Sequence, residues 1–378
     1  MPLYLSDDQK MLADTVRPFM AEKAPVSHLR ALRDADDRAG FCRDLWREFG
    51  EMGFTGVLVD EADGGLGLGH VEAGIVLEEI GRNLTPSAFL GTAVGAVEAL
   101  RGADAALSEA WMPGIVSGEI VAALALDEAA RHRPQRVALQ AECHGNGFRL
   151  SGAKQFVPFG HEADVLIVSA RTSGNEQDED GVTLFALSRS TDGVTVSAER
   201  LADSSFAASV ELDGVELDGS AVIGEVDGGR AVLNRVLNAV RAGAASEMVG
   251  VAEGASAMTL DYLKQRKQFG KTIGSYQALQ HRAAHLYAEM EVARAAVLKA
   301  QQSLDTGSHD AARDVSVAKA MAGMASSIAV REAVQMHGGI GMTDEYDVGF
   351  FMKRQRVLDE LYGDSDYHAD RLARLEGY

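Results

Sequence analysis

Residues 266–280 carry the strongest chemical signal in the chain: Arg266-Lys267-Gln268-Phe269-Gly270-Lys271-Thr272-Ile273-Gly274-Ser275-Tyr276-Gln277-Ala278-Leu279-Gln280. Arg266 supplies a permanently charged, forked donor suited to phosphate oxygens. Phe269 supplies a flat apolar face. Gly270 and Gly274 interrupt helical periodicity before Tyr276 restarts it. A cation, an aromatic face and a bend set this close together suit a dinucleotide cofactor.

Two long helix-like segments flank this stretch and must hold it. After Asp227-Gly228-Gly229, four Ala-rich segments with one apolar side, at about 230–265, 276–306, 309–337 and 344–362, predict an antiparallel four-helix bundle over 228–378. Upstream, over 119–227, short apolar runs at 120–126, 148–150, 165–168, 182–187 and 209–212 are separated by Gly, Asn and Asp clusters. They predict a small β-domain, a barrel or sandwich, with the polar stretch 173–180 as a solvated hairpin tip. Residues 1–118 read as a helical domain. Ser6 and Gln9 form a capping box ahead of Met11, Leu12, Val16, Phe19 and Met20, and further helices are expected at 40–52, 70–83, 88–101 and 105–117. The glycine-rich stretch 60–69 cannot continue a helix and is a shaped loop, either a tight connection or a ligand contact. The expected fold is α+β and mainly α, in the order helical, β, helical.

Composition narrows the function classes. With 56 acidic against 36 basic residues the net charge is −20, which argues against a nucleic-acid partner. The start, Met1-Pro2-Leu3-Tyr4-Leu5-Ser6, lacks a basic segment followed by an apolar core, and no 18-residue apolar run occurs elsewhere, so a soluble cytoplasmic protein without membrane contact is expected. Cys42 and Cys143 stand far apart with no metal-ligand spacing around them, so both are expected to be buried small hydrophobes, and no metal is expected.

Together with Val334-Gln335-Met336-His337-Gly338-Gly339-Ile340-Gly341, Thr343-Asp344-Glu345-Tyr346 and the Gly64-Gly65-Leu66-Gly67 loop, the Arg266 stretch resembles the acyl-CoA dehydrogenase family, in the family's order and over nearly the whole chain. The resemblance implies FAD, bound between the β-domain and the C-terminal bundle and completed by a neighbouring subunit. Arg266, Gln268 and Phe269, with Ile273 and Tyr276 beside them, are then expected to meet the neighbour's FAD, and Gln277, Gln335, Gly338 and Gly339 to line the same groove. Leu126, Asp127, Phe156, Pro158 and Tyr362 are expected on the flavin side. The implied reaction is α,β-dehydrogenation of an acyl-CoA thioester: a carboxylate removes the α-proton while the β-hydrogen leaves as hydride to the flavin. The implied partners are the acyl-CoA, an electron-transfer flavoprotein or similar acceptor, and further chains, as a homo-oligomer (dimer or tetramer) or a heterotetramer with a homologous chain.

The sequence departs from the family where the base belongs. The usual glutamate position near the end of the chain reads Tyr362, in Leu361-Tyr362-Gly363-Asp364, and the second known position reads Val240, before Arg241. Glu247 lies two helical turns beyond Val240 on the same face, about 10 Å along the axis, among apolar neighbours that are expected to desolvate it. It is a candidate base, a polar contact at the pocket floor, or a structural residue. Asp364 is the second candidate base. Arg241 matches a family arginine that orients the base or the thioester. On the flavin face, Phe156 and Pro158 stand for a tryptophan and a threonine, so a stacking surface remains while the hydroxyl and N–H are lost. Asp127 stands for a threonine, and Ala129-Ala130-Arg131-His132 does not reproduce the family's Gly-Ser-Asp turn.

These departures resemble a subgroup that acts in bacterial breakdown of steroid side chains and other bulky acyl groups, some of whose members work as two different chains. Three readings follow: a dehydrogenase of a branched or polycyclic acyl-CoA with a relocated base, a catalytically silent chain that completes FAD sites in a homologous partner, and a flavin oxidase or monooxygenase on the same scaffold.

Overall fold

The computed structural model describes residues 3–378; Met1 and Pro2, the first residues of the start expected to carry no leader segment, lie outside the described residues. In chain order the helices are α1 (Asp7–Lys23), α2 (Val26–Asp34), α3 (Arg43–Glu51), α4 (His70–Asn83), α5 (Val97–Leu100), α6 (Ala105–Val116), α7 (Gly229–Gln265), α8 (Gln277–Asp305), α9 (Ala311–His337), α10 (Val348–Glu360) and α11 (Ser365–Leu375). The strands are β1 (Ala122–Ala125), β2 (Gln140–His144), β3 (Gly147–Pro158), β4 (Val165–Arg171), β5 (Val182–Ser188), β6 (Val194–Arg200), β7 (Phe206–Asp218), β8 (Val222–Ile223), β9 (Lys267–Gln268) and β10 (Lys271–Thr272). The chain divides into two compact units, one of Met1–Asp34, His70–Thr85 and Arg241–Tyr378, the other of Ala35–Gly69 and Pro86–Val240.

In the first, helical unit, α1 opens with the expected capping box: the Ser6 hydroxyl accepts from Gln9 N and the Gln9 side chain accepts from Ser6 N. The small residues of α7 permit close helix packing. A Cβ on Gly250 would fall on the Glu78 carbonyl of α4, and one on Gly81 on the Glu247 carbonyl of α7. The four long helical segments form as α7 to α10. A fifth, α11, follows where periodicity alone offered little, because Asp364 caps it by accepting from Tyr367 N.

The second unit is built on one hydrogen-bonded path of strands, β6-β7-β3-β2-β4-β5-β8, with β1 parallel to β4. Its core gathers Leu150, Val157, Leu166, Val168, Phe185 and Val210. The unpredicted strands β2 and β6 are mostly exposed and polar, so they carry little of the apolar signal that marks a strand. The 173–180 stretch does connect β4 to β5, but it is not merely solvated: the buried Arg171 guanidinium donates to the carbonyls of Asp180 (2.6 Å), Glu176 (3.1 Å) and Asp178 (3.2 Å). The predicted helix over 88–101 is interrupted by a π-helical stretch at Leu90–Ala96. The 60–69 loop is a tight connection whose N–H groups return to its own start: Gly65 N donates to Asp60 O, Leu66 N to Gly56 O and Gly67 N to Val59 O. Both cysteines are free, and they are not buried hydrophobes: Cys143 is exposed on polar β2 and Cys42 is half-buried before α3. Among the described residues there is no metal-binding cluster, and no helix is long and apolar enough to cross a membrane.

Candidate cofactor and active-site residues

At one end of α7 the chain turns through the β9–β10 hairpin into a 3-10 turn, Ile273–Ser275, and on into α8. Gly270, with φ +83°, makes the tip, and Phe269 before it is also left-handed, at φ 54°. Phe269 is 91% exposed, and Arg266 and Gln268 are exposed beside it. Arg266 makes no ion pair or side-chain hydrogen bond, whereas every other arginine of the helical unit holds a carboxylate, carbonyl or hydroxyl. Tyr276 serves as N-cap residue of α8 with the Lys271 ammonium 4.0 Å over its ring, Ile273 is half-buried, and Gln277 is exposed in the first turn.

The end of α9 belongs to this same end of the bundle. His337 stacks on Tyr262 of α7 with ring centroids 4.5 Å apart and also meets Tyr346 at 4.8 Å. Its Nδ1 lies 2.7 Å from the Ala333 carbonyl, its Nε2 is buried without a partner, and burial lowers its pKa. Beyond it Gln335, Gly338 and Gly339 are exposed, Gly338 turns at φ +65°, and neither glycine has anything within 4 Å of where a Cβ would stand.

The α10–α11 corner lies at the other end. Arg241 lies on α7 and Arg266 directly follows its last residue, 25 positions further on, roughly 37 Å at 1.5 Å per residue. At the corner Tyr362 is buried and left-handed, φ 61°, followed by Gly363 at φ +104°. Its carbonyl accepts from Arg241 Nε at 3.1 Å and from His368 Nε2 at 3.2 Å, which fixes the His368 tautomer and leaves Nδ1 buried without a partner. Arg241 also donates to the Tyr367 hydroxyl at 3.0 Å. Lys319, fully buried on α9, donates to the carbonyls of Leu358 (3.0 Å), Asp359 (3.0 Å) and Gly363 (2.8 Å). Cations thus satisfy carbonyls that the end of α10 leaves open. Burial drives Lys319 down to about 8 and Arg371 down to about 10, lowers His368 with Arg241 adding to the effect, and raises Asp359.

Neither candidate base stands free. Glu247 is buried as expected, but not in purely apolar surroundings: its Oε1 accepts from Arg354 Nε at 2.8 Å and from a second Arg354 nitrogen at 2.5 Å. Asp364 accepts from Tyr367 N at 2.7 Å as the cap of α11. Sequence reasoning missed Lys319 and His368. Lys319 had a signal, a lysine inside the Ala-rich stripe Val317-Ala318-Lys319-Ala320; His368 had none.

In the β unit the structure brings the flavin-side candidates together around Lys154. This buried amine donates to Glu128 Oε1 (2.6 Å), Ser169 Oγ (3.0 Å) and the Leu126 carbonyl (3.4 Å), and burial lowers its pKa. Gln155 N donates to the Asp127 carbonyl at 2.8 Å. Phe156 sits at φ 51° in an irregularity between Lys154 and Val157, half-buried, and Pro158 closes β3 opposite Ala207. Asp127 is engaged within its own loop. Its Oδ2 lies 2.7 Å from His132 Nδ1 and its Oδ1 accepts from Arg133 N at 3.1 Å, so its own loop holds both oxygens.

The exposed aromatic and uncommitted arginine at the hairpin tip offer the flat face and the forked cation that suit a dinucleotide. The N-terminal, middle and C-terminal domain models of the acyl-CoA dehydrogenases match residues 6–119, 127–215 and 227–376. Acyl-CoA dehydrogenase FadE12 of Mycobacterium tuberculosis is 30% identical over 93% of this chain and 91% of its own length. Among solved structures, the Tcur3481-Tcur3483 steroid ACAD is 29% identical with a TM-score of 0.89 over 98% of each chain. The ChsE4-ChsE5 complex from Mycobacterium tuberculosis is 25% identical with a TM-score of 0.89 over 100% of each chain. The chain belongs to the acyl-CoA dehydrogenase family, FAD-dependent oxidoreductases that act on CH–CH donors. The residues present fit that cofactor: Arg266 is uncommitted, the Phe269 ring is bare, and the space over Gly338 and Gly339 is open.

Proposed function

We propose that this chain takes part in α,β-dehydrogenation of a bulky acyl-CoA thioester, branched or polycyclic such as a steroid side chain. In this reading it is the FAD-holding member of an assembly in which a homologous chain supplies the proton-removing carboxylate. The observation that carries this is the commitment of every candidate carboxylate: the two usual positions are Val240 and Tyr362, Glu247 is paired with Arg354, and Asp364 caps α11. The likeness to ChsE4-ChsE5 and to the Tcur3481-Tcur3483 steroid ACAD, both described as pairs, supports it.

When bound, FAD supplies the hydride acceptor of the reaction. The chain's own residues bind and position. Arg266, Gln268, Phe269, Gln277, Gln335, Gly338 and Gly339 face the dinucleotide of a neighbouring subunit, while Leu126, Phe156 and Pro158 form the flavin side of this chain's own site. Arg241 and His368 hold the Tyr362 backbone, so the buried ring forms a fixed wall where relatives carry a base. Electrons leave to an electron-transfer flavoprotein or a similar acceptor.

The test is anaerobic mixing of the holoprotein with acyl-CoA thioesters, steroid side chains included, with and without a homologous chain co-purified from the native host. Flavin bleaching only in the paired form is expected. Full bleaching by this chain alone, lost in Glu247→Gln, would move the base to Glu247 and end the partner-base reading; no bleaching with any thioester would remove the bulky-substrate assignment.

A further inference from the structure

We propose that His337 is a proton-sensitive positioning residue: neutral, it pins the turn 338–346 that borders the cofactor groove, and protonated, it lets that turn go. The inference rests on the function proposed above for the groove, though not for the pin.

His337 ends α9 and is 3% exposed. It lies between two phenol rings: Tyr262 of α7, with centroids 4.5 Å and planes 28° apart, and Tyr346 at the far end of the turn, at 4.8 Å. The turn also folds straight back over it, because a Cβ on buried Gly341 would stand 2.9 Å from the His337 Cβ. A stacked, buried histidine is most often a packing residue. Its hydrogen bonding sets this one apart. Nδ1 lies 2.7 Å from the Ala333 carbonyl, which only accepts, so Nδ1 carries the hydrogen and Nε2 is a bare lone pair. Nε2 is buried and has no partner. Taking up a proton therefore creates a positive charge and an N–H at an atom that no acceptor reaches. The phenol rings attract a charged neighbour, yet they give that N–H no acceptor, and burial lowers the His337 pKa from its ordinary 6.5.

Few other groups face the site. Tyr262 and Tyr346 are the titratable neighbours, and burial raises the Tyr346 pKa, with Tyr262, Asp347 and Asp261 adding to the effect. Among the described residues no carboxylate pairs with His337. The far end of the turn is held differently: Arg30 and Arg33 of α2 grip Asp347 at 2.6 Å and Asp344 at 2.8 Å, and the Arg33 hydrogen bond holds the Asp344 pKa down at about 2. That clamp stays shut in mild acid, so the His337 end is the one that a proton opens. Released, the ring titrates near 6.5; pinned, it titrates below that value, so each pH unit under 6.5 favours the released state by up to about tenfold. Gly338 and Gly339, exposed beside the ring, then lose the position that the groove requires.

The test follows FAD release from the holoprotein between about pH 8 and pH 5, by recovery of flavin fluorescence. It compares the parent with His337→Phe, which keeps a ring in the stack and takes no proton, each protein being referred to its own rate at pH 8. Release from the parent is expected to quicken roughly tenfold or more below pH 6.5, and release from His337→Phe to lack that step. Histidine side-chain NMR of the parent apoprotein gives a reading that does not depend on how the variant folds: the His337 resonance, identified by its displacement in Tyr262→Leu, is expected to titrate below 6.5. An acid step of equal size in both proteins, or a His337 resonance that titrates at or above 6.5, overturns the inference. A parent that retains no FAD at pH 8 removes the groove assignment instead. The pin is then decided by unfolding of the two apoproteins, where the parent's folding equilibrium is expected to fall up to about tenfold more per pH unit than that of His337→Phe, and equal slopes overturn it.

Discussion

Replacing Lys319 with methionine tests whether the corner that carries Tyr362 is held by cations rather than by packing. The side chain is fully buried and donates to three backbone carbonyls at 2.8–3.0 Å. Removing it leaves three buried acceptors short of a donor, at about 1–3 kcal/mol each. It also removes a buried charge. The fall of Lys319 from its ordinary 10.5 to about 8 means that folding pays about 3 kcal/mol to keep the amine protonated near neutrality. The two effects oppose each other, and the carbonyls win: Lys319→Met is expected to lose roughly 3 kcal/mol near pH 7. The pH dependence has a definite sign. Between about 8 and 10.5 the unfolded chain holds the proton more tightly than the folded one, so the parent gains stability as pH rises through that window and the variant does not. The gap between them should widen by up to about 3 kcal/mol. Urea unfolding followed by far-ultraviolet circular dichroism at several pH values measures it. Tryptophan fluorescence is a poorer probe, because Trp46 and Trp111 both lie in the β unit. A variant as stable as the parent at pH 7, or a gap that does not grow with pH, would refute the carbonyl clamp.

Arg266→Gln should weaken FAD retention by roughly tenfold or more while leaving apoprotein melting unchanged, because the guanidinium touches nothing in its own chain; gel filtration with absorbance at the flavin band reads the first and thermal unfolding by circular dichroism the second. Glu247→Gln should cost about 1–3 kcal/mol, since it leaves the half-buried Arg354 guanidinium without its charged partner, and Glu247→Gln/Arg354→Met should recover much of that loss; equal stability of both would show that the ion pair matters little. Gly250→Ala should destabilise the helical unit by several kcal/mol, because the added methyl meets the Glu78 carbonyl of α4 and neither backbone can yield cheaply; an unchanged melting temperature would mean that α4 and α7 are less tightly apposed.

The long helices were legible because their apolar stripes repeat over many turns, and α7 to α10 formed where periodicity placed them. The exposed strands β2 and β6 were not: β2 is polar with one buried residue, and the Val194-Val196 alternation of β6 is short and only partly buried. The hairpin at Arg266 was legible because glycine, aromatic and arginine stand together in sequence. The Tyr362 corner was not: Arg241, Lys319 and His368 are far apart in the chain and meet only through the packing of α7, α9 and α11. The same limit applied to Glu247, whose apolar sequence neighbours concealed an arginine more than a hundred positions away.

The roughly 37 Å between Arg241 and Arg266 along α7 has a genetic consequence. If each chain lends its hairpin to one pocket and hosts another at its Tyr362 corner, lesions at the two ends belong to different pockets. Mixing a chain damaged at Arg266 with one damaged at Arg241 yields one pocket with both defects and one with neither. In an assembly of identical chains two inactive alleles would then complement each other in the same cell, while two alleles damaged at the same end would not; in the paired assembly proposed above, where each working pocket joins this chain to a homologous one, neither combination would.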